Sequence, residues 1–139
     1  MKLISRIFFM TALAVFALGL HAKSISILIV DGQNNHNWKA MTPFMKAQLE
    51  KTGMFSVTVA TSPQRVNPPR NLTKEQRAAA QKAANELNAK AWKEWNPEFS
   101  KYDVVISNYN GQEWPKPVKA AFEKYMRDGG RFICVHAAN

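Results

Sequence analysis

The sequence predicts a doubly wound α/β fold, in which a parallel sheet carries helices on both faces. Three observations carry that prediction. Short β-branched apolar runs alternate with stretches whose apolar residues recur every three or four positions. Gly, Asn and Pro punctuate the junctions. The polar residues collect just after the apolar runs, where a sheet of this kind opens its ligand-facing loops.

Residues 25–30 (ISILIV) form a nearly continuous apolar run ending at Asp31-Gly32, the pattern of a strand buried on both faces, β1. After the polar loop GQNNHN, residues 38–51 place Trp38, Met41, Met45 and Leu49 at helical spacing, with Gly53 as a stop; this is α1. Pro43 is the one objection, and Thr42-Pro43 offers an alternative cap and first helical position. Residues 55–60 (FSVTVA) alternate and are β-branched, giving β2 near an edge of the sheet. An irregular connection leads to Thr73 and Gln76, a capping box that opens α2, which runs to Trp95 before Asn96-Pro97. Its inward face, assigned to Ala80, Ala83, Leu87 and Ala91, is small, so α2 is expected to be peripheral. Residues 104–107 give β3. Residues 117–127 give α3 with Val118, Phe122, Tyr125 and Met126 inward, closed by Gly129-Gly130. Residues 131–135 (RFICV) give β4.

The first 22 residues have the layout of an export signal: Lys2 and Arg6 at the start, an apolar run over 7–20, and His21-Ala22 before the cut. That run is shorter than the roughly 18 residues that span a bilayer, so a cleaved leader is favoured over a retained anchor. The mature chain, residues 23–139, is therefore expected to be periplasmic or secreted, with no stable membrane insertion. Of 19 basic and 10 acidic residues, Lys2 and Arg6 fall in the leader, leaving 17 against 10 and a net charge of +7. Much of the surplus lies between Arg65 and Lys93, where a solvated helix face accounts for it; export argues against nucleic acid as partner. Cys134 is the one cysteine, so no internal disulfide can form.

In a sheet of order 2-1-3-4-5 the fourth strand is interior and needs a neighbour and a covering helix. The chain reaches Asn139 four residues after β4, so the fold is expected to be incomplete at its C-terminus.

Three loops are predicted to converge on the carboxyl ends of the strands. After β1 come Asp31, Gln33, Asn34, Asn35, His36 and Asn37; after β3 come Asn108, Asn110, Gln112 and Glu113; after β4 come His136 and Asn139. Ordinary turn chemistry explains any one such loop, but not three on one edge. His36 and His136 are the candidate proton carriers, with Asp31 placed to orient one of them. Asn34, Asn35, Asn108, Asn110 and Asn139, with Trp38 and Trp114, are the candidate ligand contacts, because amides bond hydroxyls and aromatic faces stack on sugar rings. The Gly-rich signatures of dinucleotide and nucleoside triphosphate sites are absent, so no cofactor is implied; the spacing of a strong metal motif is absent too, which leaves a divalent ion shared by Asp31, His36 and His136 as the lesser alternative.

Three segments, DGQNNHNW (31–38), FSKYDVVISNYNGQEWP (99–115) and GGRFICVHAAN (129–139), resemble in order the motifs of the ThuA-like (trehalose utilisation) domain family. The resemblance implies a flavodoxin-like sheet related to class I glutamine amidotransferases, of which this chain would be the N-terminal portion, and a role with trehalose or related sugars. Amidotransferase-type sites put a nucleophilic cysteine on the sharp turn after a strand. His136 stands at that position here, and Cys134 is expected to be a buried small hydrophobe, so thiol catalysis is disfavoured. The resemblance leaves residues 66–95 without an assigned role.

Two functions remain open. One is acid/base chemistry on a sugar or oxidised sugar. The other is a sugar-binding module without catalysis, since no hydrolase-type carboxylate pair is evident. The partner in both is a small sugar or glycoside.

Overall fold

A computed structural model describes residues 23–136 and Ala138. The predicted leader and Asn139 lie outside the described residues. Four strands, β1 (Ile25–Asp31), β2 (Phe55–Thr61), β3 (Val104–Ser107) and β4 (Arg131–Cys134), form an all-parallel sheet of order β2-β1-β3-β4. The helices are α1 (Trp38–Lys51), α2 (Lys74–Glu94) and α3 (Lys116–Arg127). The fold is doubly wound and flavodoxin-like, and β2 lies at an edge as its alternation predicts.

The sheet's two faces are read directly from the alternation of β1. Leu28 and Val30 enter one core cluster with Val105, Trp92, Phe99, Val118 and Tyr125. Ile27 and Ile29 enter the other with Val57 and Ile106, against Met45 and Leu49 of α1. All four β1 side chains are at most 3% exposed. Each such burial stabilises the fold by about 1.5–3 kcal/mol, which makes β1 the energetic centre of the sheet.

Four expectations are corrected. α1 is one continuous helix capped by Asn37, whose side chain accepts from the Ala40 N–H, and Thr42 is a buried residue within it rather than its cap. Pro43 removes the bond its own N–H would have made to the preceding turn, and packing of Met45 and Leu49 on the sheet outweighs that loss. On α2 the inward residues are Ala84 and Trp92, while Leu87 is exposed. Asn88 sets that rotation: its side chain accepts from the Val66 N–H at 2.8 Å and donates to the Val66 carbonyl at 2.9 Å. On α3, Met126 is exposed, because Val118 and Tyr125 already fill the inward positions. Cys134 is exposed rather than buried, because β4 is an edge strand with only β3 beside it.

At the amino ends of the strands Asp103 ties β3 to β1. Its carboxylate accepts from the Ser26 hydroxyl at 2.6 Å and the Ser26 N–H at 2.8 Å, and these bonds hold it below the usual carboxylate range. No helix among the described residues is long and apolar enough to cross a membrane.

Candidate functional site

Register alone brings the carboxyl ends of the strands level. Asp31 pairs with Thr61, Val30 with Ser107, and Ser107 with Cys134. The loops that follow then meet on one edge.

The turn after β1 is possible because of Gly32. Its φ is +120°, and a Cβ there would run into Ser62 at the exit of β2. Gln33 follows and ties three loops together. Its N–H donates to Ser62 Oγ at 3.2 Å, its Nε2 to the Pro63 carbonyl at 2.8 Å, and its Oε1 accepts from the Gln112 N–H at 3.1 Å. Its carbonyl accepts from Asn110 N–H at 2.9 Å. Gly111 makes room for it, since a Cβ there would strike the Gln33 side chain.

A second set of bonds places His36. Asn108, 1% exposed, donates through Nδ2 to Thr42 Oγ1 at 3.2 Å. Asn34 Nδ2 donates to the Asn108 carbonyl at 3.1 Å and to its Oδ1 at 3.2 Å, and Asn34 Oδ1 accepts from the His36 N–H at 2.9 Å. Asn108 is thus almost wholly buried. It holds Asn34, which holds the loop that carries His36.

His136 has a φ of +54°, the one non-glycine residue in the left-handed region among the described residues. That conformation costs an ordinary side chain about 1 kcal/mol or more, and such residues concentrate at functional sites. The turn brings its ring to 4.6 Å from the His36 ring, edge to face at 83°. Residues 100 positions apart in sequence therefore share one surface. Asp31 lies beneath this edge, 2% exposed, and its Oδ1 has no hydrogen-bond partner among the described residues.

Beside the β3 exit is a cleft of about 330 Å³ lined by Tyr109, Asn110, Gln112, Trp114, Phe122 and Phe132, with Ala138 at its border. Trp114 stacks on Phe99 at 5.7 Å and meets Phe122 edge-on at 5.6 Å, so it serves core and cleft together. Its buried Nε1 also lacks a partner among the described residues. Tyr109 donates its hydroxyl to the Gln112 carbonyl, and burial pushes its pKa up to about 12. At the rim Lys119 pairs with Glu113, and the hydrogen bond between them, more than the charge attraction, holds that carboxyl low.

The structure brings His36 to His136, and Asn34 to Asn108. It places Asn110 and Trp114 in the aromatic cleft, while Asn34, Asn35, His36, Trp38 and His136 lie outside its lining. Trp38 is half-buried at the start of α1, with the Lys39 ammonium 5.6 Å from its ring. Gln33 is placed by the sequence in the loop after β1 but not among the candidate contacts, and Thr42 is in neither set. Gln33 looks like one more turn amide, and Thr42 like a helix cap, and only the fold reveals their partners. No group of three or more His, Cys, Asp or Glu suited to a metal ion occurs among the described residues.

Fold and edge together define an α/β protein with a histidine pair at the strand termini. No family model matches the sequence, and no curated protein matches it. Among solved structures it is similar to a protein of Parabacteroides merdae described as ThuA-like, at 29% identity and a TM-score of 0.63. The match covers 84% of this chain and 33% of that one, so the chain spans about one third of its neighbour's length. The fold is that of a ThuA-like domain.

Proposed function

We propose that this chain is the N-terminal part of an exported ThuA-like protein that acts on a sugar or glycoside, with His36 and His136 as proton donor and acceptor. The observation that carries the reading is the 4.6 Å edge contact between those two rings at the carboxyl ends of the strands. A neutral imidazole offers a donor on one nitrogen and an acceptor on the other, so two facing rings supply both functions within reach of one sugar ring. The ThuA-like fold supports trehalose or a related sugar as the substrate class, and the amide-rich loops supply partners for hydroxyls. Relation to class I glutamine amidotransferases fits the left-handed turn at His136, with imidazole where that chemistry has a thiol. Removal of residues 1–22 delivers the chain outside the cytoplasm.

The test is turnover of a panel of glycosides and oxidised glycosides, trehalose included, by the full chain and by His136→Ala. Loss of turnover on the order of a hundredfold or more, with the thermal transition retained, is expected for a proton carrier. Unchanged turnover in the variant would refute the assignment. Binding without turnover by the unaltered chain would favour the sugar-binding module instead, a reading supported by the aromatic lining of the cleft at Tyr109, Trp114, Phe122 and Phe132.

A further inference from the structure

The basic stretch between Arg65 and Arg77 does not lie on a featureless helix face. Beyond the aromatic cleft are two more clefts, each of about 360 Å³. The first is lined by Arg65, Val66, Gln81, Asn85, Asn88 and Gln112. It shares Gln112 with the aromatic cleft. The second is lined by Pro68, Pro69, Arg70, Arg77 and Gln81, and shares Gln81 with the first. Neighbouring clefts thus share a lining residue, and the set extends from the aromatic cleft beside β3 along the groove between α2 and the 62–73 connection.

The chemistry changes along this trough. It begins aromatic, becomes amide-lined, and ends cationic. No carboxylate lines the second or third cleft, and Arg65, Arg70 and Arg77 take part in no ion pair among the described residues. The wall is also held in place: Asn88 grips both backbone groups of Val66, next to Arg65, and Arg77 reaches the carbonyls of Arg70 and Leu72. Guanidinium groups bond carboxylate and sulfate through parallel N–H donors, and amides bond hydroxyls. No aromatic side chain lines the two outer clefts, so they lack the stacking platforms that single-stranded nucleic acid uses.

We propose that this trough binds an acidic oligosaccharide, with carboxylate- or sulfate-bearing residues over Arg65, Arg70 and Arg77 and the reacting sugar at the strand ends. The proposal rests on the sugar reading above and gives residues 62–94 a role in substrate choice.

The experiment is calorimetric titration of the full chain, at fixed salt, with an oligogalacturonate, a neutral malto-oligosaccharide of equal length, and a polyphosphate of equal charge. The acidic sugar is expected to bind at least about tenfold more tightly than the neutral one, the worth of one charge-assisted hydrogen bond. Arg65→Gln is expected to lose roughly that factor for the acidic sugar alone. Lys82→Gln, an equal charge change on α2 outside all three clefts, is expected to lose none. Equal binding of acidic and neutral sugars overturns the proposal and leaves the sugar reading standing. So does an equal loss in Lys82→Gln, or equal binding of polyphosphate. Failure of the unaltered chain to bind any sugar overturns both.

Discussion

Asn108 shows how one side chain can govern a site it never touches. Its amide bonds Thr42 on α1 and receives Asn34 from the β1 loop, and Asn34 in turn receives the His36 N–H. Asn108→Ala would remove the Nδ2 donor to Thr42 Oγ1 in a place water reaches poorly, and would leave Asn34 Nδ2 with the residue 108 carbonyl as its one acceptor of the present two. The expected cost is about 1–3 kcal/mol of stability in chemical denaturation. A larger fractional loss of sugar turnover than that destabilisation explains is also expected, because Asn34, which holds the His36 N–H, loses one of its two anchors on residue 108. A variant as stable as the parent would show that the relay is not formed. From sequence Asn108 reads as a ligand contact, since Asn after a strand is equally suited to a turn, a ligand or a buried bridge. The bridging role of Gln33, though not its place in the loop, was illegible for the same reason: its bonds go to Pro63 and Gln112, which lie 30 and 79 residues away. The histidines were legible because topology alone sends both strand ends to one edge, and no distance had to be guessed.

The elements divide by what decides them. Strands β1 and β3 could be read from β-branched apolar runs, because a strand buried on both faces leaves little choice of side chain. Helix rotation could not be read so well where the apolar face is thin. Leu87 looks like the inward residue of α2 on hydrophobicity alone, yet it is 55% exposed, and Asn88 faces the Val66 backbone. The prediction that follows is asymmetric. Leu87→Gln should change thermal stability by no more than about 0.5 kcal/mol, as for an exposed position. Asn88→Ala should cost about 0.5–1.5 kcal/mol, the net worth of an ordinary hydrogen bond, because the Val66 backbone it holds is exposed. The reverse ranking in paired melts would mean that α2 is rotated from the orientation described here. The same reasoning links α2 to function, because Asn88 lines the cleft that begins at Arg65.

At the scale of the molecule the two faces of the sheet are unequally covered. Phe132 packs toward the cluster beneath α3, whereas Ile133, on the opposite face beside Ile106, is 51% exposed. Among the described residues β4 pairs only with β3, so within them one row of its backbone donors and acceptors faces outward. An edge that is both apolar and unpaired is a template for association, and natural sheets blunt such edges with charge. Arg131 supplies charge at the start of β4, but nothing similar follows through Cys134. Residues 23–139 at rising concentration are therefore expected to show increasing apparent mass by sedimentation or light scattering. Ile133→Lys should shift them toward the monomer, since a lysine there keeps its ammonium in water and opposes stacking of a second sheet. Its β3 pairing is made by backbone groups and should survive, so far-ultraviolet circular dichroism should be unchanged. A parent chain that stays monomeric at every concentration would show instead that the apolar strip beside Ile106 is too narrow to drive association, and that the sheet is sufficiently protected as it stands.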